Sequence, residues 1–182
     1  MEKKKIDFNF IVLAFITFCI IGWLYEVIWE AAIGHGFVNR GFLYGPYLPV
    51  YGFGVLILYF SLRKIMNKKI KVGSINITPI IVFLIILVMV PVIEYFTSVM
   101  LEKIFGIELW NYSKDILNIN GRVSLRNSSI LAGGAMVMLY GIWKALEKLY
   151  EKVNNKIWNV FKYIVIITVS IDFICTIISY IK

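Results

Sequence analysis

Long runs of apolar residues, each interrupted by few charges, dominate the chain. A helix needs about 20 apolar residues to cross the hydrocarbon core of a bilayer. The pattern predicts five spans, at Phe8–Tyr25, Tyr47–Leu62, Ile77–Ile93, Ser128–Trp143 and Tyr163–Ile181. The first is expected to continue to about residue 33 and the third to about residue 104. The sequence thus predicts an all-α, polytopic integral membrane helix bundle, with residues 1–182 forming a single transmembrane domain.

Composition supports a membrane protein and excludes several other classes. Of the 182 residues, 60% are hydrophobic and 16% are charged, whereas soluble domains are about 45–50% apolar and about 25% charged. A chain of this size cannot bury so much apolar surface in a water-facing core. A soluble globule, a disordered protein and a nucleic-acid-binding domain are therefore excluded, and the expected surroundings are a lipid bilayer.

Lysines and arginines predict the direction of the spans. The net charge is +8, and basic residues collect in the cytoplasmic loops of membrane proteins. With the N-terminus inside, 13 of the 19 basic residues fall on the inner side and 6 on the outer side. This bias predicts a multi-pass protein of the cell membrane with its N-terminus inside and its C-terminus outside.

A basic segment follows the fourth span, with lysines at every fourth position from Lys144 to Lys156. We interpret Lys144–Lys162 as a helix extending from span four. Two interpretations of its charge stay open. The helix either lies against anionic headgroups or serves as a docking helix for a cytoplasmic partner.

Four acidic side chains lie within the spans or at their ends, where ionisable groups are costly and usually face a cavity or a partner. Glu26 and Glu30 are four residues apart, so they share one face of the first helix. Glu94 follows Pro91, whose kink is expected to help open a polar cavity. Asp172 lies near the middle of the fifth span, where a structural hydrogen bond to a neighbouring helix or a functional acid would fit.

Two predicted outer loops carry arginines that can pair with these acids. The segment Arg40–Gly54 has Arg40 as its one charge, and we expect this aromatic loop to dip into the membrane as a partly re-entrant segment or to pack over the bundle. In the second loop an Asn-Gly turn signal places Arg122 after a tight bend. We therefore expect a substrate-binding set near the outer face. Its members are Glu26, Glu30, Arg40, Glu94, Asn120 and Arg122.

The sequence predicts no metal and no cofactor. His35 is the one histidine, so a histidine-based zinc site is disfavoured, and we expect this loop residue to be in contact with water. Cys19 and Cys175 both lie in apolar runs, where thiols usually pack as small apolar groups. We expect no disulfide between them.

Several short motifs carry a family resemblance. They are Gly-Trp-Leu-Tyr-Glu ending at Glu26, Arg-Gly-Phe-Leu-Tyr-Gly-Pro-Tyr-Leu-Pro from Arg40, Glu-Tyr-Phe-Thr-Ser from Glu94, Leu-Trp-Asn-Tyr-Ser around Trp110, and Asn-Gly-Arg ending at Arg122. In this order they resemble the bacterial membrane family labelled putative ABC-transporter type IV, also called CmpB-like. The resemblance extends over roughly residues 22–141. It implies a permease-like protein of the bacterial cytoplasmic membrane, without a substrate or a mechanism.

Two functions fit these features, and transport is favoured. The chain would be a transporter permease or ligand-binding membrane component with a polar Glu/Arg pocket near the outer face. Because the sequence has no Walker A pattern, energy would come from a separate cytoplasmic ATPase or an ion gradient. Five spans are few for a complete pathway, so another membrane subunit or a homo-oligomer is expected.

The alternative is a membrane-embedded enzyme acting on outer-leaflet lipid or cell-envelope substrates. Glu26 or Glu94 would be its general base, and Arg40 and Arg122 would bind a phosphate group. This reading is less favoured because no nucleophile–base pair is evident. A third interpretation is an immunity, assembly or regulatory membrane protein in which the polar residues are only structural.

Overall fold

The computed structural model describes residues 6–106 and 108–181 and is mainly helical. The helices are α1 (Phe8–Ala32), α2 (Pro49–Met66), α3 (Thr78–Phe105), α4 (Leu125–Val137), α5 (Trp143–Lys152) and α6 (Asn155–Ile181), with a π-helical turn (Met138–Ile142) between α4 and α5. Two short antiparallel hairpins pair β1 (Lys71–Val72) with β2 (Ile75–Asn76) and β3 (Asn118–Ile119) with β4 (Val123–Ser124).

Within residues 6–106 and 108–181, five helices are long and apolar enough to cross a membrane, which confirms the predicted helix bundle and its number of spans. These candidate spans are Phe8–Ala32, Pro49–Met66, Thr78–Phe105, Leu125–Lys152 and Asn155–Tyr180. The direction of the spans and the single transmembrane domain stay predictions. Lys3, Lys4, Lys5 and Lys182, which entered the count of basic residues, lie outside the described residues.

The basic segment Lys144–Lys162 extends span four only as far as Lys152, so the prediction is confirmed to that residue and wrong for the remainder. Helix α5 ends before Val153, whose backbone is extended (φ −104°, ψ 145°). Helix α6 begins at Asn155, and the Asn154 side chain accepts a hydrogen bond from the N–H of Lys156 at 2.9 Å. Asparagine side chains that bond nearby backbone groups compete with helix continuation, so the segment is divided between α5 and α6.

Close contacts divide the chain into two compact units. The first unit comprises Met1–Leu56 and Ile142–Lys182, and the second comprises Ile57–Gly141. In the first unit, α1 packs against α5 and α6. In the second unit, α3 packs against α4 and β4.

The loop between α1 and α2 contributes to the core of the first unit. Leu43 and Tyr47 form a buried cluster with Ile16 and Cys19 of α1. The N–H of Leu48 donates to the Cys19 carbonyl oxygen at 3.0 Å. Leu43 and Tyr47 of this apolar, aromatic loop therefore pack against α1.

Helices α1 and α2 approach closely where each has a glycine. A Cβ added to Gly22 would overlap the base of the Tyr51 side chain in α2. A Cβ added to Gly52 would lie 2.5 Å from the Cys19 sulfur and 2.6 Å from the Phe15 ring. Small residues allow helix backbones to approach one another in membranes, so the position of Tyr51 depends on the absence of a side chain at residue 22.

We expect Gly22→Ala to destabilise the protein by about 1–3 kcal/mol, the usual range for overpacking. The clash involves the rigid base of the Tyr51 side chain, so it outweighs the helix propensity of alanine, which favours it over glycine by about 1 kcal/mol. The melting temperature in detergent measures the effect. Gly54→Ala is the matched control in α2, where a Cβ meets nothing within 4 Å. A Gly22→Ala protein as stable as the wild type would contradict the close approach.

The buried face of α3 is a row formed by every fourth residue. Its members are Thr78, Val82, Ile86, Val90, Glu94 and Ser98. Such a row is one of the ridges by which helices pack into the grooves of their neighbours. After the apolar members Val82, Ile86 and Val90 the row becomes polar, so its last two members, Glu94 and Ser98, bring polar groups into the packing of the second unit.

Candidate functional site

The residues singled out from the sequence belong to two polar clusters, one in each compact unit. The first unit contains Glu26, Glu30 and Arg40, here called the Arg40 cluster. The second unit contains Glu94, Asn120 and Arg122, here called the Glu94 cluster.

In the Arg40 cluster, one guanidinium contacts two carboxylates of α1. The Nε of Arg40 donates to Oε2 of Glu26 at 3.2 Å and lies 3.7 Å from Oε1 of Glu30. Glu26 and Glu30 are one helical turn apart and so face the same side. The Tyr51 hydroxyl of α2 donates to the other Glu26 oxygen at 2.9 Å. Both oxygens of Glu26 therefore take part in holding the cluster.

The guanidinium of Arg40 is only partly used by these contacts. Its side chain is 29% exposed, and Nε is the atom that contacts the two acids. Among the described residues, no side chain or carbonyl accepts a hydrogen bond from Nη1 or Nη2 of Arg40. Because the carboxylates fix Nε, the remaining planar fork is held in one orientation. Such a fork suits bidentate binding of a carboxylate or phosphate group.

His35 extends the Arg40 cluster beyond the predicted residues. Its Nδ1 lies 2.6 Å from Oε2 of Glu30, although the imidazole is 62% exposed, in keeping with the expected contact with water. The turn after α1, where Gly34 has φ +93°, brings the imidazole back to the helix end. The three charged side chains Glu26, Glu30 and Arg40 together carry one net negative charge.

Two hydrogen bonds position the backbone next to Arg40. The Trp23 indole donates to Oδ1 of Asn39 at 2.8 Å, and Nδ2 of Asn39 donates to the carbonyl oxygen of Tyr44 at 3.0 Å. Asn39 therefore bridges α1 and the middle of the loop. The residue immediately before Arg40 is held by this bridge.

Asp172 of α6 ties down the loop between α1 and α2. Its carboxylate accepts from the N–H groups of Tyr44 (3.0 Å) and Gly45 (2.8 Å) and from the Tyr47 hydroxyl (2.5 Å). The Thr176 hydroxyl also donates to it, at 3.2 Å. Asp172 thus forms hydrogen bonds with a loop, whereas the sequence suggested a hydrogen bond to a neighbouring helix as one alternative. Burial and this carboxylate raise the pKa of the Tyr47 hydroxyl above its usual value.

In the Glu94 cluster, a carboxylate of α3 meets the first turn of α4. Glu94 is 7% exposed and accepts from Nδ2 of Asn127 at 3.0 Å and from the Ser128 hydroxyl at 3.1 Å. Ser124 caps α4 by accepting from the N–H of Asn127 at 3.2 Å. Asn127 and Ser128 are absent from the predicted set because their approach to Glu94 depends on how α3 packs against α4.

Among the described side chains, Arg122 does not pair with any of the four predicted acids, because the hairpin holds it further along the polar ridge of α3, beside Ser98 and Glu102. Its Nη1 donates to the Ser98 hydroxyl at 2.8 Å, and its Nη2 forms an ion pair with Glu102. Glu102 is also absent from the predicted set. Its signal was present in the sequence, because Glu94, Ser98 and Glu102 are four residues apart and share one helix face.

The β3–β4 hairpin positions Asn120 and Arg122. Asn120 and Gly121 have φ values of +53° and +67°, as expected for an Asn-Gly hairpin turn, which confirms the predicted tight bend. The Asn120 amide donates to the Tyr95 hydroxyl at 3.0 Å. The Trp110 indole donates to the Arg122 carbonyl oxygen at 2.8 Å. The Asn120 side chain and the Arg122 backbone are thus fixed by residues of the quoted motifs.

Both clusters can form ion pairs and hydrogen bonds. Within the described ranges, the histidine, cysteine, aspartate and glutamate side chains form no group of three or more that could hold a metal ion. The guanidinium groups can bind acidic groups, and the carboxylates can bind basic groups or accept protons.

Comparison with known proteins finds one family. The family model described as "Putative ABC-transporter type IV" matches residues 13–177, a range that contains both clusters. Neither the curated proteins nor the solved structures provide a match.

Proposed function

We propose that this chain, which belongs to the putative ABC-transporter type IV family, is a permease or ligand-binding component of a membrane transporter. The five helices of the described residues that are able to cross a membrane support a membrane location. The Arg40 cluster is the main structural support, because two carboxylates hold a guanidinium whose Nη groups point to no described partner. In this proposal the cluster lies near the outer face of the bacterial cytoplasmic membrane.

The Arg40 cluster is proposed to bind an acidic group of the substrate. Glu26 and Glu30 orient the guanidinium, and the Nη fork of Arg40 takes a carboxylate or phosphate in a bidentate manner. Carboxylates that already contact Nε reduce the freedom of the arginine side chain, so less conformational entropy is lost on binding. We propose the same function for the polar side chains of the second unit. They are Glu94, Asn120 and Arg122.

Transport by this chain is proposed to need partners. The sequence has no Walker A pattern, so a separate cytoplasmic ATPase or an ion gradient would supply the energy. Another membrane subunit or a second copy of the chain would complete the pathway, since five spans are few.

We expect Arg40→Met to weaken ligand binding at least tenfold, which equals about 1.4 kcal/mol. A panel of small carboxylates and phosphates, screened by thermal shift on the purified chain in detergent, identifies the ligand. Titration of each variant then measures its affinity. Arg40→Lys should recover part of the binding, because lysine keeps the charge but loses the bidentate fork.

Arg126→Met is the matched control, since it removes the same charge from an exposed position of α4. It should bind the ligand as the wild type does. The melting temperature without ligand shows whether each variant is folded. Unchanged binding by a folded Arg40→Met protein, or stabilisation by basic ligands alone, would contradict the role assigned to Arg40.

A further inference from the structure

The junction of α5 and α6 carries a basic surface to which the proposed transport function assigns no role. Its four lysines are all exposed, and they are Lys144, Lys148, Lys152 and Lys156. The buried residues of α5 are Trp143, Leu146 and Tyr150. With 3.6 residues per turn, the lysines of α5 lie on the side roughly opposite these buried residues. The basic surface thus faces away from the core of the first unit.

Contacts with α1 fix the rotation of α5 about its axis. The Phe10 ring meets the rings of Trp143 and Tyr150 edge to face, with centroids 5.2 and 5.4 Å away. The Tyr150 hydroxyl lies 2.6 and 2.7 Å from the two carboxylate oxygens of Asp7, the residue that caps α1. These aromatic and polar contacts hold the lysine side of α5 outward.

The acidic residues of the junction do not cancel its charge. Residues 143–162 contain five lysines and two glutamates. Glu147 accepts a hydrogen bond from the Trp143 indole at 3.0 Å, which directs it towards the packed side, and Glu151 is half-buried. The outward side of the junction is therefore strongly positive.

The length of α6 places the junction at the bilayer surface. The candidate span Asn155–Tyr180 has 26 residues, or about 39 Å at 1.5 Å per residue, whereas the hydrocarbon core is about 30 Å thick. Its part without lysine or arginine begins at Tyr163, so Asn155–Lys162 extends beyond the hydrocarbon. Only residues 153–154 separate α5 from α6, so the end of α5 lies at a similar level.

Apolar side chains beside the lysines also suit a membrane surface. Leu149 and Ile157 are 46% and 59% exposed. The Lys162 ammonium lies 4.6 Å from the centre of the Tyr163 ring and 5.9 Å from that of Phe8. Aromatic rings and long basic side chains favour the boundary between acyl chains and headgroups.

We propose that the basic surface binds the phosphate groups of anionic phospholipids, with Leu149 and Ile157 contacting the adjoining acyl chains. Positive charge, exposed apolar groups and headgroup depth all fit this ligand. The inference is independent of the proposed transport function. A soluble protein partner is a different occupant, and the experiment distinguishes the two.

The test uses the full chain in neutral detergent, with phosphatidylglycerol or phosphatidylcholine added and the melting temperature recorded. We expect phosphatidylglycerol to raise the melting temperature and phosphatidylcholine to have little effect. Replacing all four lysines with glutamine should raise the phosphatidylglycerol concentration needed for half the shift at least tenfold. Replacing them with arginine should preserve the response, because the charge is kept.

A matched control removes the same charge elsewhere. It replaces four exposed lysines with glutamine, namely Lys64, Lys68, Lys69 and Lys71, and should keep most of the response. On the wild type, raising the salt from about 0.05 M to about 0.5 M should reduce the shift through screening. This measurement does not depend on the folding of any variant.

Several outcomes would overturn the proposal. The first two are equal stabilisation by the two lipids and a melting-temperature shift that does not depend on salt. The others are a glutamine variant that responds to phosphatidylglycerol as the wild type does, and a control variant that loses as much of this response as the glutamine variant. A glutamine variant that binds phosphatidylglycerol normally but no longer binds a purified partner ATPase would instead assign the surface to protein docking.

Discussion

Asp172→Ala is expected to lower the free energy of unfolding by about 3 kcal/mol or more. Hydrogen bonds to a charged group contribute about 1.5–3 kcal/mol each, and this carboxylate accepts from two backbone N–H groups and two hydroxyls. The individual contributions are not additive, because the donors share two oxygens. Denaturation in detergent measures the change. The loop that carries Arg40 should lose its attachment to α6 at the same time.

Hydrogen exchange locates the effect within the chain. The amides of Tyr44 and Gly45 should exchange faster in Asp172→Ala than in the wild type, because they donate to the missing carboxylate. Tyr47→Phe removes one donor and should cost about half as much. Ser170→Ala, at an exposed position of α6, is the neutral control. Protected amides and full stability in Asp172→Ala would show that the carboxylate does not hold the loop.

Glu94→Leu is expected to destabilise the protein by about 2–4 kcal/mol. The substitution removes the acceptor used by Asn127 and by the buried Ser128 hydroxyl. A buried donor left without an acceptor costs about 1–3 kcal/mol. The measurement is the melting temperature together with the midpoint of chemical denaturation. Glu108→Gln is the control, since this carboxylate is exposed and its loss should have little effect.

Glu94→Gln separates a binding role from a purely structural one. Glutamine keeps one oxygen that can accept from Asn127 or Ser128, so we expect most of the stability to remain. If Glu94 takes part in ligand binding, this folded variant should lose the thermal response to the ligand found with the wild type. Normal stability with a full ligand response would remove Glu94 from the proposed binding set. A wild-type melting temperature for Glu94→Leu would contradict the hydrogen-bonding role as well.

The two compact units show why some residue sets were predictable and others were not. Glu26 and Glu30 share a face because of their spacing alone, whereas Arg40 reaches them through a loop held by Asn39 and Asp172. In α3, regular spacing also marked Ser98 and Glu102 as neighbours of Glu94 on one face. The sequence shows this spacing, but it does not show that Ser98 and Glu102 bind Arg122. That contact depends on where the β3–β4 hairpin places Arg122.

The junction of α5 and α6 shows how a repeating pattern can mislead. The spacing of one lysine in every four residues continues from α5 into α6. It does not reveal the break, because the same spacing suits two helices as well as one. The break follows from the extended backbone of Val153 and the Asn154 side chain, which bonds the N–H of Lys156. Such a local competitor for backbone hydrogen bonds decides the boundary.

The sequence by itself determined the features that depend on local periodicity and on the solvent. Five apolar runs predict five spans because bilayer thickness sets the length of a crossing helix, and the described part of the chain contains five such helices. The Asn120-Gly121 turn was equally readable, since few residues adopt positive φ values at low cost.

Only the tertiary structure decided which groups satisfy each buried or partly buried charge. A hydrogen bond requires donor and acceptor within about 3 Å, and that distance depends on which helices and loops pack together. Asp172 bonds Gly45, which is 127 residues earlier in the chain, and Glu94 bonds Ser128, which is 34 residues later. The spacing of residues along the sequence does not predict these two contacts. They result from helix packing, which buries many side chains at once.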